Sequence, residues 1–344
     1  MSYALARPLL FSLDAERAHW LALRALAVLP KRRPAPGGPL ATTLAGLALP
    51  NPVGMAPGFD KDAVAAEAVL GIGFGFVEVG TLTPRPQVGN SRPRLFRLVE
   101  DRAVINRMGF NNCGIAAAAA RLARRDRSLG TVGINIGANK DSPDRVADYR
   151  EAFRIAAPLA DYVTINISSP NTPGLRALQD KGALDALLDA VLVERSAPGC
   201  QVPVFLKVAP DLEPADIDDI ADIALGRRLD ALIVANTTIA RPPLRSPLAG
   251  EAGGLSGAPL KIPSLARLRE FRKATGGALP LIGAGGITTA DDAWERIRAG
   301  ASAVQLYSAM VYEGPGIART ICKGLERLMR RDGFASIAEA VGTE

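Results

Sequence analysis

The chain has 344 residues, 48% hydrophobic and 22% charged, a balance that suits a globular protein with a large core and excludes long disorder. The net charge is +6, and residues 1–38 supply +4 of it, with Arg7, Arg17, Arg24, Lys31, Arg32 and Arg33 set against Asp14 and Glu16. The remainder is nearly neutral, which argues against nucleic acid as a partner, whereas the basic N-terminus fits an anionic surface. One histidine, His19, and three widely separated cysteines, Cys113, Cys200 and Cys322, exclude a histidine-based metal site and a serine-histidine triad in the main body and give no metal-ligand spacing. The cysteines read as reduced thiols. No apolar run reaches the length of about 18 residues that a membrane-spanning helix needs, and the N-terminus lacks the features of a secretory signal.

In chain order, two apolar helical segments come first, residues 3–11 and 13–29. A basic, proline-rich stretch over residues 30–36 comes next, where Pro30 and the cations favour a helix end. On a helical wheel, residues 13–29 are apolar around most of the circumference, with Asp14, Arg17 and Arg24 on one side. Such a surface is buried either against the main body or in a membrane interface. A short antiparallel pair is predicted at 41–49, closing the N-terminal end of the main body. From residue 51, short apolar runs alternate with helical patterns at 52–56, 75–79, 132–136, 162–167, 204–208, 231–235, 280–283 and 303–306. Eight parallel strands with crossover helices make an α/β (β/α)8 TIM barrel, which takes roughly 250 residues. The predicted organisation is therefore a barrel over 39–344 with a helical extension over 1–38. The alternative, a doubly wound sheet, lacks the glycine-rich turn it needs after its first strand. The loop over 81–112 is too long for a simple connection and is expected to be functional.

Barrel active sites lie where strands end, so the residues at those ends carry the functional reading. Pro57, Gly58, Phe59, Asp60 and Lys61 follow the first strand, and Gly80 and Thr81 the second. Asn135 lies within the third, which is followed by Gly137 and Asn139. Asn166 closes the fourth, ahead of Ser168, Ser169, Pro170 and Asn171, and Asn236, Thr237 and Thr238 follow the sixth. An asparagine whose amide is buried without a partner costs about 1–3 kcal/mol, so several at one mouth point to a flat, amide-rich ligand, although any one of them could be a turn or cap. Lys207 alternates into the barrel on the fifth strand. There it forms a structural ion pair with a neighbouring acid or stabilises an anion on a ligand. The late glycine segments, Gly253 to Gly257 and Gly285 to Thr288, with Tyr307 and Ser308, are expected to offer N–H groups to a phosphate.

Three stretches, Asn106-Arg107-Met108-Gly109-Phe110-Asn111-Asn112, Asn166-Ile167-Ser168-Ser169-Pro170-Asn171-Thr172-Pro173-Gly174 and Gly253-Gly254-Leu255-Ser256-Gly257, resemble the dihydroorotate dehydrogenase family, and the match runs through nearly the whole chain. Serine at 169 rather than cysteine, together with the N-terminal extension, is similar to the quinone-dependent class. The resemblance implies FMN and the oxidation of dihydroorotate to orotate in pyrimidine synthesis. It further implies that electrons pass to a membrane quinone and that residues 1–38 form a cap and tunnel attached peripherally to the cytoplasmic face of the inner membrane. No iron-sulfur partner subunit is implied. Carried over by position, Ser169 is the catalytic base that takes the C5 proton while hydride leaves C6 for the flavin, and Lys207 stabilises the reduced flavin. Lys61, the segment Asn106, Arg107, Met108, Gly109 and Phe110, and Asn166, Asn171, Asn236 and Thr237 contact substrate. Ala56, Pro57, Gly58, Phe59, Asp60, Lys61, Thr81, Asn135, Asn166, Lys207, Ala235, Gly257, Gly286, Tyr307 and Ser308 hold FMN, and His19, Arg97 and Tyr307 line the quinone tunnel. Ala235 departs from a relative that carries a hydroxyl there, which loses a hydrogen bond if that contact uses the side chain. A related barrel that passes electrons to fumarate or nicotinamide, or one that binds a pyrimidine as a sensor without turnover, is the competing reading.

Overall fold

The structure, a computed structural model, describes residues 3–32 and 38–344. Most of the expected proline-rich junction, residues 33–37, lies outside them, as do residues 1–2. Helices α1 (Tyr3–Ser12) and α2 (Ala15–Ala27) come first, then the hairpin β1 (Thr42–Leu44) and β2 (Leu47–Leu49). The body runs β3 (Val53–Met55), α3 (Ala66–Gly71), β4 (Phe76–Leu82), β5 (Leu95–Leu98), β6 (Ala103–Asn106), α4 (Ile115–Leu122), β7 (Thr131–Ile136), α5 (Arg145–Ala156), β8 (Tyr162–Asn166) and α6 (Lys181–Arg195). It continues through β9 (Val204–Lys207), α7 (Pro214–Gly226), β10 (Ala231–Val234), β11 (Gly254–Gly257), α8 (Lys261–Ala274), β12 (Leu281–Ala284), α9 (Ala290–Arg298), β13 (Ala301–Leu306), α10 (Ser308–Glu313) and α11 (Ile317–Arg331). Strands β3, β4, β7, β8, β9, β10, β12 and β13 pair in that order, all parallel, and β13 returns to β3 to close the barrel. Each of the eight expected apolar runs forms one of these strands.

The barrel strands are buried on both faces, as a sheet ringed by helices requires. The outer layer joins Val77, Val79, Ile134, Val163 and Leu206 to helix residues such as Phe153, Leu188 and Phe271. The interior is filled by Phe76, Tyr162 and Phe205 with Ile233 and Ile282, and Leu44 and Leu49 of the hairpin close its N-terminal end. Two strand glycines make room for those rings: a Cβ on Gly54 would lie 2.3 Å from Phe76 Cζ, and one on Gly133 2.1 Å from Tyr162 Cζ.

The glycine run before the seventh barrel strand forms strand β11, antiparallel to β6, which also pairs with β5, and its last residue, Gly257, leads into the helical turn ahead of α8. This three-stranded sheet accounts for much of the long loop over 81–112 and stands beside the barrel mouth.

The cap is only half covered. Leu23 and Leu26 of α2 join the outer core, while Leu5, Leu9, Leu21 and Val28 are 51–83% exposed. One side of its apolar surface therefore packs on the barrel, and the other stays bare. Among the described residues, no helix is long and apolar enough to cross a membrane.

Candidate active site

The strand ends open into a cavity of about 510 Å³, within the range of small-molecule sites. It extends from the barrel mouth to the cap, with Leu10, Ala18, His19, Leu26 and Leu29 in its outer wall. Its geometry begins beneath the floor, at a residue that the strand-end pattern does not single out. Glu78 on β4 has no exposed surface, and its carboxylate accepts from Asn135 Nδ2 at 2.7 Å, Gln305 Nε2 at 2.8 Å and the Tyr162 hydroxyl at 3.1 Å. An ionised carboxylate only accepts, so it fixes the Asn135 amide with its NH2 toward Glu78 and its oxygen toward the mouth. That oxygen accepts from Thr81 Oγ1 at 2.5 Å and from Asn166 Nδ2 at 3.1 Å. Asn166 Nδ2 also donates to Thr81 Oγ1 at 2.9 Å, its Oδ1 accepts from Ser168 Oγ at 2.9 Å, and Ser168 Oγ accepts from Asn236 Nδ2 at 2.9 Å. The polar side chains of β4, β7, β8 and the loop after β10 thus form one oriented network.

Lys207 is 4% exposed and lines the cavity. Among the described residues its ammonium forms no ion pair or hydrogen bond, so the structural ion pair weighed from the sequence is not formed. Burial lowers its pKa, and the negative charge of Glu78 opposes that fall. A buried cation left free toward a cavity suits an anionic or electron-accepting ligand. Lys61, from the loop after β3, donates to Gly58 O at 2.9 Å. Burial brings its pKa down to about 8, with the carboxylates of Glu16 and Asp62 pulling it up.

Ser169 is buried on the loop after β8, and its Oγ accepts from Asn171 N at 3.3 Å. Asn171 Nδ2 donates to Asn106 Oδ1 at 3.1 Å, which brings the first two motif stretches face to face. Arg176 staples the loops behind them, donating to Ser168 O and Thr237 O at 3.1 Å each and pairing with Asp211 at 2.8 Å. At the late strands, Gly257, Gly286, Tyr307 and Ser308 line the same cavity. The buried guanidinium of Arg296 donates to Gly285 O at 2.7 Å and Lys261 O at 3.0 Å.

On the cap side, the Tyr307 hydroxyl lies 3.3 Å from His19 Nδ1, and Phe59 packs edge-on against both rings. Burial, helped by the Lys61 charge, pushes the His19 pKa down to about 3, so the imidazole is neutral near pH 7. Arg97 donates to Leu10 O at 2.9 Å, Phe11 O at 3.3 Å and Leu13 O, capping the C-terminal end of α1.

Of the expected residues, Ala56, Pro57, Gly58, Phe59, Lys61, Thr81, Asn106, Met108, Gly109, Phe110, Asn166, Ser169, Asn171, Lys207, Ala235, Asn236, Thr237, Gly257, Gly286, Tyr307, Ser308, His19 and Arg97 all line the cavity. Three do not. Asp60 spends its carboxylate on the N–H groups of Val64 and Ala65, at 2.9 and 2.8 Å. Arg107 turns outward to Glu251 at 2.6 Å and stacks on Phe96. Asn135 lies one layer deeper, where it orients Thr81 and Asn166.

With this geometry in place, the relatives are informative. A family model described as dihydroorotate dehydrogenase matches residues 39–329. Proteins named dihydroorotate dehydrogenase (quinone) from Novosphingobium aromaticivorans and Sphingopyxis alaskensis are 65% and 66% identical over 99% of this chain, covering 99% and 96% of their own lengths. The ligand-free crystal structure of DHODH from Eimeria tenella matches at TM-score 0.91 and 42% identity, over 96% of this chain and 99% of its own. The same protein in complex with ferulenol matches at TM-score 0.90 over 95% of each chain. Fold, site and relatives define a (β/α)8-barrel oxidoreductase that works with a flavin. The chain belongs to the dihydroorotate dehydrogenase family, in its quinone-dependent class.

The acceptor role of Glu78 is testable apart from ligand binding. Glu78→Leu strands three buried donors at about 1–3 kcal/mol each, and is expected to lower stability by about 3 kcal/mol or more in chemical unfolding. Glu78→Gln, which keeps an oxygen in place, is expected to lose much less, and equal losses would refute the role.

Proposed function

We propose that this protein oxidises (S)-dihydroorotate to orotate in the synthesis of pyrimidine nucleotides (UMP), with FMN as its flavin and a membrane quinone as electron acceptor. The observation that carries this reading is one continuous cavity that joins a polar, cation-bearing floor to an apolar, cap-covered outer wall. A donor and an acceptor of opposite polarity can thus reach a single redox group. FMN, when bound, supplies the two-electron relay between them.

The chain's own residues do the rest. Lys61 holds the substrate carboxylate, and Asn106, Asn171, Asn236 and Thr237 hold the pyrimidine edge, with Asn166 touching substrate and flavin together. The segment Met108, Gly109 and Phe110 walls the substrate pocket. Ser169 removes the C5 proton. A serine hydroxyl is a poor base at neutral pH, so as it takes the C5 proton its own proton has to pass on through the surrounding polar groups to solvent. Lys207 places a positive charge where negative charge builds up during reduction. Ala56, Pro57, Gly58, Phe59, Thr81, Ala235, Gly257, Gly286, Tyr307 and Ser308 cradle the flavin, and Asn135 acts through Thr81 and Asn166. His19, Arg97 and Tyr307 line the quinone's path. The bare apolar side of α1 and α2, set among basic residues, rests on the cytoplasmic face of the inner membrane.

Purified protein is expected to be yellow and to reduce a quinone analogue when given dihydroorotate, in preference to fumarate or NAD. Ser169→Ala is expected to slow flavin reduction by about 100-fold or more with flavin still bound. A colourless preparation that takes up no FMN would overturn the assignment. Because free Lys61 loses its proton at about 8, orotate affinity is expected to hold steady below that pH and to weaken by up to about tenfold per unit above it; affinity that stays constant to pH 9.5 would remove Lys61 from the substrate. Replacing Leu5, Leu9, Leu21 and Val28 together by serine is expected to abolish sedimentation with anionic vesicles while turnover with a short-chain soluble quinone persists. Undiminished vesicle binding would dismiss the proposed membrane face.

A further inference from the structure

A run of hydrogen bonds leads from the cap into the substrate face. Glu16 on α2 is 4% exposed although it is one of only two acids in the first 38 residues. Its carboxylate is gripped by the buried guanidinium of Arg94, Nη2 to Oε1 at 2.7 Å and Nε to Oε2 at 3.1 Å, while Arg92 approaches Oε1 from outside at 3.0 Å. The remaining nitrogen of Arg94, Nη1, donates to Val88 O at 2.7 Å and Asn90 O at 2.8 Å. Asn90 in turn reaches both segments assigned to the substrate: its backbone N–H donates to Met108 O at 3.0 Å, and its Nδ2 to Arg107 O at 3.0 Å and Asn171 O at 3.3 Å. The loop has little slack, since a Cβ on Gly89 would lie 2.3 Å from Met108 O and 2.9 Å from Arg94 Nη1.

We propose that Glu16 is a positioning residue for dihydroorotate, so that the cap on the acceptor side sets the affinity of the donor side. The proposal rests on the assignment of Asn106 and Asn171 to the substrate. The two-pronged fork fixes the plane of the Arg94 guanidinium, and that plane decides where Nη1 points and therefore where Asn90 sits. Asn90 then holds the backbone on either side of the Asn106–Asn171 contact. Loss of the Glu16 charge leaves a buried arginine without its counterion. Arg94 must then turn toward water or another acceptor, which releases the Asn90 loop. Coupling of this kind is reciprocal, so a bound substrate also favours a docked cap.

The test uses the full-length holoenzyme, with orotate affinity read by calorimetry and dihydroorotate half-saturation read from anaerobic flavin reduction with no quinone present. Glu16→Gln is expected to weaken both by about 10-fold, within the usual range of coupling between sites, while the limiting rate of reduction changes by less than about twofold. Asn90→Ala is expected to do the same, and the double variant no more than either alone. Arg92→Gln, which removes an exposed charge and leaves the fork intact, is expected to change affinity by less than about twofold. Glu16→Asp keeps the charge at a shorter reach and is expected to fall between wild type and Glu16→Gln, which gives a second reading if the glutamine variant folds poorly. Glu16→Gln with wild-type orotate affinity and an altered quinone step alone, or effects of Glu16→Gln and Asn90→Ala that multiply, would overturn the proposal. Wild-type protein that binds no orotate would instead overturn the substrate assignment on which it rests.

Discussion

A carboxylate with no exposed surface has to be surrounded by donors, and that requirement at Glu78 organises the mouth of this barrel. Its three partners come from β7, β8 and β13, strands far apart in sequence, so satisfying one buried acid ties distant parts of the barrel together. The larger effect is directional. Asn135 has no freedom to flip, and the order it receives passes to Thr81 and Asn166 and then to Ser168 and Asn236. Preorganisation of this kind lets amides meet a flat ligand without first rearranging. The same acid offsets part of the desolvation of Lys207, so a cation is kept at the floor without being neutralised by a direct contact.

The cap obeys a different rule. It is attached by a few buried residues, Leu23, Leu26 and Glu16, and by the Arg97 guanidinium on the last carbonyls of α1, while much of its apolar surface remains bare. Helices held this way have two allegiances, one to the barrel and one to whatever covers the other side. The cavity's outer wall is made from the first of these, so the environment of any molecule in it depends on how the cap sits.

Much of this was legible in the sequence. The barrel strands are dense apolar runs with β-branched residues, and their alternation with helical patterns survives any uncertainty about where each one ends. The asparagines stood out because an amide inside such a run needs a reason to be there. Glu78 carried the same signal, an acid between Val77 and Val79, and escapes a search confined to strand ends because it lies deeper than they do. The three-stranded sheet beside the mouth was illegible for physical reasons: β11 is glycine-rich, β5 carries an arginine, and antiparallel partners as remote in sequence as Asn106 and Gly254 leave no local periodicity. Asp60 and Arg107 were carried over from the resemblance together with neighbours that do line the cavity, but a neighbour in sequence faces another way, and the direction of a loop side chain is set by partners such as Val64, Ala65 and Glu251 that only the fold brings near. Glu16 was counted merely as charge, since nothing local reveals that Arg94 lies across from it.

The neutrality of His19 has a meaning for traffic. Where the cap meets Tyr307, the passage is bordered by an uncharged imidazole, a phenol and the Phe59 ring. A lipophilic carrier moving along it keeps much the same company it had outside and surrenders little hydration on the way. A water-soluble dinucleotide would have to give up much of its hydration beside those rings, and the nearby Arg97 guanidinium is already engaged by the carbonyls of α1, so solvation favours the lipophilic carrier.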